Sequence, residues 1–329
     1  MIATRNLRRA RILIVGSGDV GLRCVDQLRA RPARPRVFAL ARRAERADIL
    51  RAAGATPVAG DLDARASLAR LAGLADVVLH LAPPPKDGDG DLRTRRLVAA
   101  LKARRRSAAR PATAGQATSI VPERTGRASR ATPARPRLVY ASTTGVYGDC
   151  GGARIDETRA PRPANARAKR RVAAERLLRR ATARGALSAT IARIPGIYAA
   201  TRLPLARLEK RTPALLDADD VYTSHIHADD LAAIMLRLAT HGRSARVIHA
   251  SDDSEMKMGT YFDRVADAFG LARAPRVSRA QAERELDPVL LSFMRESRRL
   301  DNARLKRELR VRLRYPDVDA FLRTLPPRP

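Results

Sequence analysis

Tryptophan is absent from this chain of 329 residues, and aromatic residues make up only 3% of it. Proteins that bind single-stranded nucleic acids stack bases on aromatic side chains, so this scarcity argues against that class of partner. The two cysteines, Cys24 and Cys150, are too few and too far apart for a zinc site or a disulfide framework. A reducing cytoplasm is the simplest compartment for such a chain.

Long apolar runs are also missing. No stretch is long enough to span a membrane, and the first residues lack the apolar core of a signal peptide. We therefore expect no membrane association. Hydrophobic residues nevertheless amount to 45% of the chain, which suffices for one large α/β domain with a smaller appended region.

Acidic residues are few, 34 against 65 lysines and arginines, which leaves a net charge of +31. Such a charge would normally indicate a polyanionic partner. However, only six of the basic residues are lysine, and the arginines are spread along the whole chain. This bias is typical of a GC-rich coding sequence, so we do not infer nucleic-acid binding from the charge.

The most informative stretch is residues 11–21, where four branched apolar residues are followed at once by a Gly-x-Gly-x-x-Gly turn. The apolar run predicts a strand buried on both faces, and the apolar spacing after the turn predicts a helix. In this context the motif indicates a dinucleotide site with the pyrophosphate at the helix N-terminus; an ordinary glycine-rich turn is the alternative. The residues assigned to the pyrophosphate are Gly16, Ser17, Gly18, Asp19, Val20 and Gly21.

A carboxylate is missing at the end of the second predicted strand, residues 36–40. NAD sites usually place an Asp or Glu there, about 20 residues after the glycine turn, to bind the ribose 2′-hydroxyl. Arg42 and Arg43 stand in that place, and guanidinium groups suit a 2′-phosphate. We therefore predict NADP as the cofactor, with NAD as the alternative, unless these are merely two more arginines of an arginine-rich chain.

Strands and helices alternate through the first two thirds of the sequence, which predicts an α/β fold with a doubly wound parallel Rossmann sheet. We place this domain at residues 1–194 and a smaller C-terminal α/β substrate-binding region at residues 195–329. Ligands of such folds bind at the carboxyl ends of the strands. Further cofactor contacts are expected there from Asp61, Leu62, Leu81, Ala82 and Pro195.

Residues 103–136 interrupt this pattern. The segment is rich in Arg, Ala, Ser, Thr, Gly and Pro, and its only sizeable apolar residues are Ile120 and Val121. It cannot bury enough surface to offset the entropy of ordering, so we predict a disordered insertion. Farther along, His225 and His227 precede two aspartates, but this pattern equally begins a capped helix, and we predict no metal site.

Six short motifs follow one another along the chain. Together they resemble the extended short-chain dehydrogenase/reductases, the nucleotide-sugar epimerase/dehydratase group. The resemblance covers nearly the whole chain except the insertion. The motifs are residues 16–21, 60–62, 80–82, 142–149, 193–198 and 225–232.

This resemblance implies a bound NAD(P), hydride transfer at C4 of the nicotinamide, and proton transfer by a Ser or Thr, a Tyr and a Lys. Thr143 falls at the Ser/Thr position, and Lys169 falls at the Lys position, where it would also hold the cofactor ribose. The residue four positions before Lys169 is Asn165 rather than Tyr. An asparagine amide cannot shuttle a proton as a phenol does.

The missing phenol leaves two interpretations open. The protein is either an NADP-dependent oxidoreductase or epimerase acting on a nucleotide-sugar-like or small carbonyl substrate, or a catalytically inactive NADP(H)-binding sensor or scaffold. In the first case Tyr147, Tyr198 or a water held by Thr143 and Asn165 would replace the tyrosine. The resemblance also allows a homodimer, since related proteins often pair through two helices, although surface arginines would oppose that pairing.

Overall fold

The computed structural model of the protein describes residues 10–103 and 135–326. Its centre is a seven-stranded sheet in which every neighbouring pair of strands is parallel. The strands are β1 (Arg11–Val15), β2 (Arg36–Ala41), β3 (Thr56–Ala59), β4 (Val77–His80), β5 (Arg137–Thr143), β7 (Ser188–Ile194) and β12 (Val247–His249). Their order is β12-β7-β5-β4-β1-β2-β3, so the predicted doubly wound Rossmann sheet is confirmed.

Helices pack on both faces of this sheet. They are α1 (Asp19–Arg29), α2 (Ala44–Ala52), α3 (Leu92–Lys102), α4 (Ala166–Ala183), α6 (Ala228–His241) and α10 (Ala303–Leu309). Successive residues of β1 belong to opposite cores: Ile12 and Ile14 pack with α1 and α6, whereas Leu13 and Val15 pack with α3 and α4. Both faces of the strand are therefore buried, which explains its uninterrupted apolar sequence.

Short elements form the rest of the described chain, around a separate core that includes Tyr198, Phe262 and Phe321. The elements are β6 (Arg154–Ile155), β8 (Gly196–Tyr198), α5 (Leu205–Glu209), β9 (Ala214–Leu215), β10 (Tyr222–Thr223), β11 (His225–His227), β13 (Met256–Lys257), α7 (Met258–Ala268), β14 (Arg276–Val277), α8 (Arg279–Glu285), α9 (Pro288–Phe293), β15 (Arg299–Leu300) and α11 (Val318–Leu322). Four small sheets pair β8 with β11, β9 with β14, β6 with β15, and β10 with β13, the last pair being antiparallel.

The chain returns to the large sheet after residue 195. Helix α6 packs against α1, and β12 forms the edge of the sheet beside β7. An ion pair between Arg23 and Asp229, and a hydrogen bond from Gln27 Nε2 to the Asp229 carbonyl at 2.9 Å, join the two helices. The two regions are thus interleaved, and the division at residues 194 and 195 stays a prediction.

The predicted insertion and the predicted lack of membrane-spanning segments concern longer stretches of the chain. Residues 104–134 of the predicted insertion lie outside the described residues. Within the described ranges, none of the helices combines the length and the apolar character needed to cross a membrane.

Candidate active site

The glycine turn joins β1, β4 and α1 at the carboxyl end of the sheet. Gly16 has a φ of +99°, and a Cβ added to it would lie 2.4 Å from the backbone nitrogen of Ala82. A Cβ added to Gly21 would lie 2.7 Å from the carbonyl oxygen of Gly16. Leu81 and Ala82 both donate backbone hydrogen bonds to the Val15 carbonyl, at 2.7 and 3.0 Å. Only glycine fits at these two positions, because the backbone packs directly against them.

Gly18 contrasts with its neighbours because the space beside it is open. A Cβ added there would meet no described atom within 4 Å. Gly18 is also the N-cap residue of α1, and no side chain caps this helix. The first backbone N–H groups of α1 therefore face a cradle without side chains, which fits the pyrophosphate of a dinucleotide.

Asp19 places a carboxylate in the first turn of this helix. Its two oxygens accept hydrogen bonds from Arg23 Nε and Arg202 Nε, both at 2.8 Å. Burial raises the pKa of Asp19, but the two guanidinium groups outweigh this effect and hold the pKa below its usual value. The negative charge beside the cradle is thus compensated, and Arg202 connects the glycine turn with the C-terminal region.

Three arginines lie beyond the end of β2. Arg42 and Arg43 follow the strand directly, and both are exposed. Arg46, in the first turn of α2, places Nε 3.5 Å from Oγ of the buried Ser17. The predicted guanidinium groups therefore lie at the same edge of the sheet as the glycine turn.

Asp61 lies at the same edge, after β3. Its Oδ1 accepts a hydrogen bond from the Asp63 backbone N–H at 2.9 Å, and its own N–H donates to Ser67 Oγ at 2.8 Å. These bonds shape the turn that precedes the 3₁₀ helix Arg65–Leu71. The side chain of Leu62 is buried in the core of the sheet, so only its backbone is available to a ligand.

A cavity of about 340 Å³ opens at the carboxyl ends of β5 and β7. We call it the polar cavity. It brings together three predicted residues, Thr143, Asn165 and Pro195, but neither Lys169 nor Tyr147. Its lining consists of Thr143, Thr144, Gly145, Asn165, Arg167, Ala168, Arg171, Pro195, Gly196, Ser292, Glu296 and Arg298.

Thr143 and Asn165 are both cap residues at the edge of the polar cavity. Thr143 Oγ1 accepts a hydrogen bond from the Gly145 N–H at 3.3 Å and begins the 3₁₀ turn Thr144–Tyr147. Asn165 is the N-cap of α4, and its Oδ1 accepts from the Ala168 N–H at 2.9 Å. The hydroxyl proton of Thr143 remains available as a donor to a ligand, as does the Asn165 amide proton that is not directed at Glu296.

Lys169 does not reach this cavity. It is exposed, because the inward face of α4 carries the buried residues Ala168, Val172 and Glu175. Arg171 faces the end of β5 instead, and its Nη1 donates to the Ala141 carbonyl at 2.5 Å. The expectation that Lys169 holds the cofactor ribose stays a prediction, and its exposed side chain lies outside the polar cavity.

Tyr147 does not reach the cavity either. Its side chain is 1% exposed, and its hydroxyl accepts a hydrogen bond from Arg193 Nη1 at 2.7 Å. The hydroxyl also pairs with His249 Nε2 at 2.5 Å, and the other ring nitrogen of His249 contacts the Asp301 carbonyl. Burial raises the pKa of Tyr147 to about 12. The role of Tyr147 as acid stays a prediction, and these contacts favour a structural role for its hydroxyl.

A second cavity, of about 350 Å³, adjoins the first. We call it the aromatic cavity, after Tyr198, Tyr222, Tyr261 and Phe262 in its wall. Tyr198 itself is almost fully buried, and burial together with the nearby Asp252 carboxylate raises its pKa far above the usual value. A phenol in that environment is a poor proton donor. The remaining lining residues are Thr144, Pro195, Gly196, Ile197, Arg202, Pro204, Arg207, Thr223, Ser224, His225, Met258, Leu290, Glu296 and Arg298.

Arg207 gives the aromatic cavity a desolvated cation. Its guanidinium lies 4.3 Å from the centre of the Phe262 ring, and Nη2 donates to the Pro213 carbonyl at 2.6 Å. Its Nε is buried without a hydrogen-bond acceptor among the described residues. Burial lowers the pKa of Arg207 to about 10. An anionic group entering the cavity would therefore meet a cation with little competition from water.

Glu296 is the functional candidate that the sequence does not reveal. It lines both cavities, from the segment between α9 and β15. Asn165 Nδ2 lies 3.4 Å from its Oε1, and Arg298 Nη1 donates to its Oε2 at 2.9 Å. Its side chain is only 12% exposed. No local motif marks this residue, because it reaches the site from the irregular last third of the chain.

The histidines of β11 serve the core of the C-terminal region. His225 stacks on Tyr261 with the ring centres 4.4 Å apart, and His227 Nδ1 accepts from the Asp229 N–H at 3.2 Å. Among residues 10–103 and 135–326, no three or more His, Cys, Asp or Glu side chains are grouped so that they could hold a metal ion.

The fold is the doubly wound Rossmann architecture that the motifs predict, and the glycine turn and the polar cavity lie at the carboxyl end of its sheet. Residues 96–250 match the model of the NAD dependent epimerase/dehydratase family. The resemblance predicted from the motifs is thus confirmed for this part of the chain. A search of curated protein sequences gives no significant match.

Solved structures show the same architecture along almost the entire chain. A conserved protein of unknown function from Silicibacter pomeroyi is 25% identical, with a TM-score of 0.70 and coverage of 95% of this chain and 96% of that one. A nucleoside-diphosphate-sugar epimerase from Pseudomonas aeruginosa is 16% identical, with a TM-score of 0.72 and 95% coverage of both chains. A dTDP-glucose 4,6-dehydratase from Streptomyces venezuelae, solved with NAD bound, is 20% identical, with a TM-score of 0.68 and 95% coverage of both chains. These likenesses establish the fold.

Proposed function

We propose that the protein is an NADP(H)-dependent oxidoreductase or epimerase that acts on an alcohol or carbonyl carbon of a nucleotide-sugar-like or small carbonyl substrate. The bound dinucleotide would supply the hydride acceptor or donor. The observation that carries the proposal is the meeting of the polar and aromatic cavities at the carboxyl ends of β5 and β7. Parallel α/β sheets bind cofactor and substrate at that edge.

The cofactor assignment rests on the residues around the glycine turn. Gly18 leaves a bare backbone cradle, and the helix N-terminus favours the phosphates. Arg42 and Arg43 offer guanidinium groups at the position where a carboxylate would favour NAD. These features support NADP(H) over NAD(H), whereas the dehydratase from Streptomyces venezuelae was solved with NAD.

The chemistry of the aromatic cavity supports a substrate with a planar apolar group and a negative charge. Tyr222 and Tyr261 offer rings for stacking, and Arg207 offers a desolvated guanidinium. A nucleoside diphosphate carries both features, and two of the similar structures are named for nucleotide-sugar reactions. A nucleotide sugar is therefore the substrate class to test first. A cytoplasmic location and a homodimer remain predictions.

One observation favours a second function. The tyrosine and lysine of the related enzymes are absent from the polar cavity, where Asn165 and Arg171 lie instead. A protein that binds NADP(H) as a sensor or scaffold needs the cradle but no proton-transfer group. Thr143 and Asn165 could then contact the cofactor as hydrogen-bond donors alone.

A turnover screen separates the two functions. Purified protein is incubated with NADP⁺ or NADPH and with a panel of nucleotide sugars and small carbonyls. Products are separated by chromatography, because an epimerase leaves the cofactor unchanged and cofactor absorbance would not report its turnover. The Gly18→Val variant serves as the cofactor-deficient control. Formation of product by the wild type alone supports the enzyme. Tight binding of NADPH without product from any substrate supports the sensor, and failure to bind either dinucleotide contradicts both functions.

A further inference from the structure

We propose that the Glu296 carboxylate is the proton-transfer group of this site, in place of the tyrosine that the related enzymes use. The inference rests on the proposed function, because proton transfer is needed only if the protein moves a hydride. Glu296 is a titratable side chain that lines both the polar and the aromatic cavity. A substrate bound across the two cavities would therefore contact it.

The position of Glu296 is fixed by two hydrogen bonds. Asn165 Nδ2 reaches its Oε1 at 3.4 Å, and Arg298 Nη1 reaches its Oε2 at 2.9 Å. Arg298 also donates to the Gly148 carbonyl at 2.9 Å, which attaches the pair to the turn after β5. A Cβ added to Gly145 would lie 3.9 Å from Glu296 Oε2, so the carboxylate lies against the glycine backbone next to Thr143.

These contacts explain why the residue at position 165 is an asparagine. Its amide group caps α4 through Oδ1 and donates to Glu296 through Nδ2. A phenol at this position could do neither with the same geometry. Asn165 and Arg298 are thus positioning residues, and the group that exchanges a proton with substrate is the carboxylate between them.

In the oxidative direction the substrate hydroxyl gives its proton to a Glu296 oxygen, and the carbinol carbon gives its hydrogen with two electrons to the oxidised nicotinamide. The alcohol becomes a ketone, and the carboxylate becomes a carboxylic acid. In the reverse direction the carboxylic acid returns the proton as the carbonyl carbon receives hydride. Thr143, at the wall of the polar cavity, offers a hydroxyl donor to the same oxygen atom.

The other titratable groups near the site are less suited to this step. The Tyr147 hydroxyl is committed to Arg193 and His249 behind the cavity. Arg167, Arg171 and Arg298 are guanidinium groups, which do not release a proton at neutral pH. Among the lining residues of the polar cavity, Glu296 is the carboxylate.

The test compares Glu296→Gln with Glu296→Asp and with a matched control. Glutamine keeps the size and an acceptor for Asn165 but cannot take the proton, whereas aspartate keeps the carboxylate. The control is Glu283→Gln. Glu283 lies on α8, its Oε1 is 3.1 Å from Arg295 Nη2, and it lines neither cavity. Melting temperatures establish that each variant is folded. The turnover assay uses the substrate found in the screen described above.

We expect Glu296→Gln to lower kcat by roughly 100-fold or more. The decrease of kcat on the acid side of its pH profile should also disappear in this variant. Glu296→Asp should retain a substantial part of kcat, and Glu283→Gln should match the wild type. A second readout needs no substrate: the affinities for NADP⁺ and NADPH, measured by titration. The carboxylate should attract the cationic oxidised ring, so Glu296→Gln should weaken NADP⁺ binding by ~3- to 10-fold relative to NADPH.

The outcomes separate the two proposals. If the wild type forms product and folded Glu296→Gln retains more than about a third of its kcat, Glu296 is not the proton-transfer group, while the proposed function stands. An unchanged ratio of NADP⁺ to NADPH affinity in this variant would place the carboxylate away from the nicotinamide and equally contradict the inference. If the wild type binds NADPH but forms no product from any substrate, the proposed function itself fails, and Glu296 transfers no proton.

Discussion

At the scale of single residues, the groups that could exchange a proton differ in where they lie. Tyr147 and Tyr198 are buried in two different cores, and neither lines the polar cavity. The carboxylate of Glu296 lies in the cavity wall instead. A buried phenol is bound to its neighbours and contributes to stability, whereas a cavity carboxylate is available to a ligand.

Tyr147 provides the test of this distinction. Tyr147→Phe should leave kcat within about twofold of the wild type, because the hydroxyl does not face either cavity. The variant should be less stable by ~1–3 kcal/mol, since Arg193 Nη1 and His249 Nε2 lose a buried partner. Urea unfolding and steady-state kinetics measure the two effects. A large loss of kcat in a stable variant would instead show that Tyr147 is a catalytic residue.

At the scale of secondary-structure elements, the proposal of NADP(H) rests on the carboxyl end of β2. The strand ends at Ala41, and the exposed Arg42 and Arg43 follow it. Because α2 begins at Ala44, the two arginines are held between a strand and a helix rather than in a long loop. A short connection of this kind fixes the backbone of the two arginines relative to the strand and the helix.

Replacing both arginines by serine should change this choice. Each lost guanidinium removes charge-assisted hydrogen bonds to a 2′-phosphate, worth ~1.5–3 kcal/mol, so NADPH affinity should fall at least about tenfold. NADH lacks that phosphate, and its affinity should stay within about twofold. Fluorescence titration of the two reduced cofactors measures the effect. Equal losses for both cofactors, or none for NADPH, would contradict the assignment of NADP(H).

The elements of the Rossmann sheet could be predicted from sequence because their signals are local. A strand such as β1, buried on both faces, is apolar at its four positions 12–15. The first residue of helix α6 is less easily predicted, because the helix begins at Ala228 where the side chain of His227 caps it. Such caps are individual contacts that hydrophobic periodicity does not reveal.

The site was less predictable because its geometry depends on contacts between distant segments. Residue type indicated Lys169, but the buried positions of α4 place Arg171, rather than Lys169, against the end of β5. Glu296 lies 131 residues after Asn165 in the chain. Its position follows from the pairing of β15 with β6, which no local pattern in the sequence indicates.

At the scale of the whole molecule, four buried histidines couple stability to pH. They share one property, a pKa that burial lowers to about 4, and they are His80, His225, His227 and His249. The unfolded chain therefore binds more protons than the folded one as pH falls from about 6.5 to 4. Asp252 acts in the opposite direction, because burial raises its pKa to about 7. Its contribution to the free energy of unfolding is therefore lost as pH rises through that value.

The expected result is a free energy of unfolding that is largest near pH 6.5 to 7 and falls steeply on the acid side. Urea unfolding between about pH 4.5 and 8 measures the curve. Removing the exposed His241 by His241→Gln should leave its shape unchanged. A wild-type curve that is flat between about pH 4.5 and 6.5 would show that the buried histidines do not control the acid limb.

The central claim concerns the whole molecule as a dinucleotide-binding protein: the N-terminus of α1 holds the pyrophosphate. Gly18 has a φ of −69° and open space beside it, so valine fits the fold without strain. Its side chain would nevertheless occupy the path of the pyrophosphate. The most direct measurement is calorimetric titration of NADPH into the wild type and into folded Gly18→Val. The account predicts binding by the wild type and at least a hundredfold weaker binding by the variant, and equal affinities would contradict it.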